Sequence, residues 1–210
     1  MRRWPLVAAA AALCLAGCST TSHPSASPAT SAAVNAPSSA TPSRTAPSSV
    51  INPDVIPPVI TIPYVDAVFK VLEHIDGNVL RQLLQSRGIT ARITAELAAI
   101  YNQPLYSKEV AIAEQTLAGN MSNIIHPPGD VVMTVVRLIS ASPTCIFVAT
   151  KANYDAVLKN PGKSPGSTYF ALEMKQDYSG DRSLNSTPWS IFFNAVFLNQ
   201  VTIPDQCAAR

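Results

Sequence analysis

Apolar residues from Pro63 to about Asn102 recur with a helical period. Val65, Val68, Phe69, Leu72 and Ile75 fall at i, i+3, i+4, i+7 and i+10 and make one stripe. Pro63 stands at its start and Gly77 just past its end, so the pattern predicts a helix stopping near Gly77. Leu80, Leu83 and Leu84 predict a short second helix that ends at Gly88. Ile89, Ile93, Leu97 and Ile100 predict a third, ending before Pro104. Val110, Ala113, Leu117 and Met121 predict a fourth over 107–125, weakened at Gly119 and closed by His126-Pro-Pro-Gly-Asp130.

After Asp130 the pattern turns to strands. Residues 131–139 (VVMTVVRLI) are rich in β-branched side chains, 140–144 suit a hairpin turn, and 145–151 (CIFVATK) return antiparallel. Residues 160–166 read as a loop. Residues 168–177 alternate, with Phe170, Leu172 and Met174 on one face and Glu173 and Lys175 on the other. Residues 178–187 turn the chain and 189–198 (WSIFFNAVFL) form the last strand. Helices first and an antiparallel meander afterwards predict an α+β fold, with helices on one face of a curved sheet of about four strands. This element order, over about residues 63–200, resembles the cone-like fold of nuclear transport factor 2 and its relatives. That fold serves isomerases, dehydratases, carriers and assembly subunits alike, so the likeness implies an architecture and no single activity.

The N-terminus carries a different message. Arg2 and Arg3 precede an apolar run, 7–17, that is too short to span a bilayer as a mature anchor. It ends in Leu15-Ala16-Gly17-Cys18, which resembles the lipobox of bacterial lipoproteins. The resemblance implies cleavage before Cys18, with its thiol acylated by diacylglycerol and a palmitate-type chain added. The alternative is an ordinary secretory peptide in which Cys18 is incidental. Of the 32 residues 19–50, 15 are Ser or Thr, 7 Ala and 5 Pro, with no apolar period to offset the entropy of ordering. They read as a flexible tether about 30 Å from end to end, similar in composition to the glycosylated tethers of actinobacterial lipoproteins. The organisation expected is a signal peptide over 1–17, lipidated Cys18 and tether over 18–50, and one globular unit over 51–210. Residues 51–63 (INPDVIPPVITIP) are apolar but hold four prolines, which predicts an extended arm along that unit.

Charge narrows the partners. The chain has 15 basic and 13 acidic residues, and losing Arg2 and Arg3 with the leader leaves it balanced. A neutral chain has no footprint for nucleic acid and no basic face for anionic lipid. With 47% hydrophobic and 13% charged residues, wholesale disorder is excluded. Past Cys18 only Cys145 and Cys207 remain, an even number for an oxidising compartment. A bridge between them closes about 60 residues and contributes about 4 kcal/mol in the chain-entropy model; a redox pair is the rival, without the Cys-x-x-Cys spacing that lowers a thiol pKa.

Candidate chemistry is sparse. Gly162-Lys-Ser-Pro-Gly166 matches the letters of a hydrolase elbow, but Pro161 and Pro165 suit a surface turn, and every histidine precedes Ser164. His74, beside Glu73 and near Asp76, sits one residue off the apolar stripe, a boundary position where a solvated histidine is the default over a general base. His23 and His126 are scattered, leaving no metal-ligand spacing, and no glycine-rich phosphate loop exists. No cofactor is expected. The aromatics of the last strand are more suggestive. Unbroken alternation would put Trp189, Ile191, Phe193 and Phe197 on one face and Phe192, Val196 and Leu198 on the other. One face must cover the helices. The other then needs a protein partner, a lipid or a second copy, unless Phe192 packs under the arm at 55–62.

These readings make a lipid-anchored cell-envelope protein with a non-catalytic binding or assembly role, its interaction face being Trp189, Phe192, Phe193 and Phe197. A second expectation is a ligand carrier or enzyme with a small apolar pocket at the wide end of the sheet, its polar groups Tyr64, Asp66 and His74. A third is a purely structural lipoprotein.

Overall fold

The structure, a computed structural model, describes residues 51–119, 121–162, 167–175, 183–196 and 203–208. The leader, Cys18, the tether, Ser164, residues 178–182 of the predicted turn, Phe197 and Leu198 lie outside the described residues.

Three helices precede four strands. The first helix, α1 (Ile62–Ser86), is continuous through Gly77, where the punctuation predicted a stop. Gly77 is not a cap. A Cβ there would stand 2.0 Å from Asp130 Oδ1, so the position makes room for the Asp130 carboxyl against the helix. The two predicted apolar runs therefore form one stripe, in which Val65, Val68, Phe69, Leu72, Val79, Leu80 and Leu83 are buried. Arg87, in the left-handed region at φ 55, ends the helix by donating its backbone N–H to Leu83 O at 3.0 Å.

Helix α2 (Ala91–Ile100) starts at Thr90, whose side chain accepts from Ile93 N at 3.2 Å. Helix α3 (Leu105–Ala118) ends at Gly119, short of the predicted 125, because Gly119 takes an extended conformation. Its buried positions are Leu105, Glu109, Ala113 and Thr116.

The strands are β1 (Val132–Ala141), β2 (Cys145–Asn153), β3 (Thr168–Met174) and β4 (Trp189–Val196), an antiparallel meander in sequence order. The α+β class and the helices-then-strands order read from periodicity are what the structure has. Met133, Val135, Ile146, Val148, Phe170, Leu172, Trp189 and Ile191 join the core cluster with the α1 stripe. Phe69 of α1 meets Phe170 of β3 edge-on at 5.3 Å between ring centroids.

The expected sharing of faces on β4 is corrected. Leu172 pairs with Ile191 and Ala171 with Phe193, so Phe192 is an extra residue in a bulge. A one-residue slip reverses every later side chain. Trp189 and Ile191 lie in the core cluster, whereas Phe193 packs on Phe147, whose partner in β3 is Ala171, at 6.2 Å. Trp189 is fully buried and Phe192 and Phe193 are half-buried, so the three do not make one exposed interaction face.

Both sheet edges are met at points by other elements. Along β4, Asn102 N donates to Ile191 O at 2.9 Å. Along β1, two N–H groups donate to carboxyls of α1: Met133 N to Glu73 Oε1 at 2.7 Å and Val135 N to Asp66 Oδ1 at 2.9 Å. At the other end of the unit, Cys145 and Cys207 are joined at S–S 2.03 Å, and Ser140 donates to Asp205 at 2.7 Å, so residues 203–208 are tied to β1 and β2.

Candidate functional site: a buried acidic cavity

Between α1, the end of α2 and the sheet lies a cavity of about 20 Å³. Phe69, Leu72, Ile100, Met133, Phe170 and Ile191 give it apolar walls. Into those walls are set Glu73, Asp76 and Tyr101. Its volume accommodates about one water.

The polar groups come from the stripe itself. From Phe69, steps of three, four and three reach Leu72, Asp76 and Val79, so Asp76 occupies a core position of α1 and is only 4% exposed. No hydrogen bond or ion pair reaches its carboxyl among the described residues. Burial holds its pKa well above the usual carboxylate range, and the carboxyls of Glu109, Glu73 and Asp130 push in the same direction. Glu73, one turn earlier, is pushed up to about 9 by burial, against the opposing hydrogen bond from Met133 N. Glu109, 2% exposed on α3, is pushed up to about 8 by burial, opposed by the Asn194 amide that donates to it at 3.4 Å. Burial, then the carboxyls of Asp76, Glu109 and Glu73, raise the Tyr101 phenol as well.

Burial therefore favours the uncharged form of these acids, and a protonated acid presents an O–H donor where a carboxylate only accepts. The chemistry available is donation of hydrogen bonds into a small space whose walls are otherwise apolar. Another buried acid, Glu96, is different. Gln82 Nε2 at 2.6 Å and Arg92 Nε at 2.9 Å satisfy it, and it serves the α1–α2 contact.

None of the pocket groups expected from sequence lines this cavity. Tyr64 is buried, but its hydroxyl accepts from Trp189 Nε1 at 2.8 Å and donates to Pro53 O at 3.4 Å, joining helix, strand and arm. Asp66 caps the β1 edge and lies in a surface groove with Ile51, Pro53 and Lys70. His74 is exposed and pairs through Nδ1 with Asp130 at 3.0 Å; the other Asp130 oxygen takes Arg81 at 2.9 Å. The groups that sequence reading missed, Asp76 and Glu109, carried a usable signal: both interrupt an apolar stripe. The break expected at Gly77 hid it for Asp76, and a stripe placed one residue away, on Val110, hid it for Glu109.

Among the described residues, no three His, Cys, Asp or Glu side chains are arranged to hold a metal ion, and no helix is long and apolar enough to cross a membrane. No family model, curated protein or solved structure is significantly similar to this chain.

Proposed function

We propose that this is a lipid-anchored envelope protein, held through Cys18, whose helix-and-sheet unit binds a small, largely apolar molecule in the cavity beside Asp76. The observation that carries the reading is the Asp76 carboxyl, buried without a hydrogen-bond partner in an apolar space. Leaving such a group unsatisfied costs about 1–3 kcal/mol, and a ligand oxygen accepting its proton would recover it. Protonated Asp76 and Glu73 and the Tyr101 phenol are all donors, so the ligand class is a neutral compound with a hydrogen-bond acceptor such as a carbonyl. The cavity must widen at the α1–sheet contact to admit it. The role is binding rather than turnover. The order of three helices and four strands supports the likeness to the nuclear transport factor 2 fold, and the lipobox supports the anchor.

A second reading, an assembly subunit whose core is simply filled, is favoured by the cavity's size. The test is native mass spectrometry of the full chain extracted in mild detergent from its own envelope, beside an Asp76→Leu variant. A small molecule retained by the parent and lost from the variant supports ligand binding. A protein partner at fixed stoichiometry with no small molecule overturns it in favour of assembly. The same spectra report whether Cys18 carries a diacylglycerol mass.

A further inference from the structure

We propose that the N-terminal arm, residues 51–61, with the first turn of α1, is a membrane-contact surface that rests on the bilayer to which Cys18 is anchored. This inference rests on the anchor reading and is independent of the cavity.

Six large hydrophobic side chains are exposed among the described residues, and four of them are here: Ile51, Val55, Val59 and Ile62. Val59, at 72%, is the most exposed of all six. The arm alternates. Ile56 and Ile60 turn inward onto the core cluster, while their neighbours Val55 and Val59 turn out. Its backbone is pinned in that orientation. Tyr64 donates to Pro53 O, and Ser186 Oγ donates to Asp54 Oδ1 at 2.6 Å. The outward aliphatics are thus held in water by contacts that would have to break for them to fold in, an arrangement that calls for an apolar or interfacial partner.

The patch continues sideways. Asp66 shares a groove with Ile51 and Pro53 and accepts from Val135 N, and Val136, next along β1, is 44% exposed. Lys70, exposed at the same groove, stands with Asp66, so the groove's two charges balance and the contact offered is chiefly apolar.

The bilayer is the occupant favoured because of where the chain goes. Residues 18–50 join the proposed anchor directly to Ile51, so the arm is the part of the folded unit that reaches the surface with least extension of the tether. A tether of this length holds the local lipid concentration in the millimolar range, so weak interfacial burial of a few aliphatic side chains is enough to populate the contact. The far end of α1 points the other way. Gln85 stands 23 residues beyond Ile62, about 35 Å along the helix at 1.5 Å per residue.

The experiment uses the chain from Cys18 onward, with Cys145–Cys207 oxidised and the Cys18 thiol coupled to a maleimide lipid in phosphatidylcholine–phosphatidylglycerol vesicles. Trp189, the only tryptophan after Cys18, is buried and serves as background. Val59→Trp is compared with Gln85→Trp in vesicles with and without brominated acyl chains. The expected result is a drop of about twofold in the added emission at position 59 and none at 85. Equal quenching at both positions, or none at 59, overturns the proposal. So does a position 59 shielded from both brominated lipid and aqueous iodide, which would mean a protein covers the arm. Because the coupling is chemical, quenching at 59 fails or succeeds regardless of native acylation. Absence of diacylglycerol on Cys18 in the native protein overturns the anchor reading and this inference with it; its presence with no quenching at 59 overturns the arm alone.

Discussion

Raising the pH from 5 to 8 should destabilise this fold steadily, and substituting Glu73 by glutamine should remove part of that loss. Glu73 goes from an ordinary 4.5 in the unfolded chain to about 9 in the folded one, and Glu109 from 4.5 to about 8. Asp76 shifts in the same direction. Below about pH 4.5 both states hold these protons and nothing changes. Above it the unfolded chain releases them while the folded chain keeps them. The folded state therefore binds more protons, and stability falls as pH rises until the folded pKa is passed.

One such group gives a slope of at most about 1.4 kcal/mol per pH unit. Across three units a single group acting fully removes about 4 kcal/mol, a large share of the 5–15 kcal/mol typical of a domain. The Glu73→Gln variant keeps an amide oxygen to accept from Met133 N, so its fold should be intact. Its slope should be shallower by up to about 1.4 kcal/mol per unit, making it more stable than the parent at pH 8 and near parity at pH 5. Urea unfolding at fixed ionic strength, followed by Trp189 fluorescence at pH 5, 6, 7 and 8, reads both slopes. A parent midpoint that is flat or rises over this range, or a variant whose slope equals the parent's, refutes the assignment of neutral buried acids.

Two further outcomes follow from the packing. Replacing Cys145 and Cys207 by serine reopens a separation of 62 residues and should cost about 4 kcal/mol, seen as a lower thermal midpoint that reductant reproduces in the parent but not in the variant. Gly77→Ala raises helix propensity, yet its Cβ would meet Asp130 Oδ1 at 2.0 Å, so it should destabilise by about 1–3 kcal/mol; a gain in the urea midpoint would show that the Asp130 segment moves aside at no cost.

The neutral acids also bear on the choice between binding and bare structure. A filled apolar core does not need Asp76, since leucine at that position would bury more apolar surface and leave no polar group unsatisfied. If Asp76→Leu is both more stable and without effect on any bound species, Asp76 has no binding role. If it is more stable but empties the site, the carboxyl is retained for the ligand, at the usual expense of stability near functional groups.

Periodicity by itself determined the order and kind of the elements. Local spacing of apolar residues depends only on which faces are buried, so helices followed by four strands and the hairpin before Cys145 were legible, although the helices read as four where the structure has three. The pairing of Cys145 with Cys207 was legible from composition, because only two thiols remain past Cys18. What the tertiary structure decided were matters of approach between distant segments. Gly77 reads as a stop by propensity, but Asp130 approaching from 53 residues away turns it into a clearance inside a longer helix. The bulge at Phe192 is a register event between β3 and β4, and it reverses the side chains after it in a way that no single-strand pattern encodes. Glu73, Asp76 and Glu109 are ordinary acids in sequence. They become a buried neutral cluster only because α1 and α3 present them to the same interior, where water is excluded and charge is expensive.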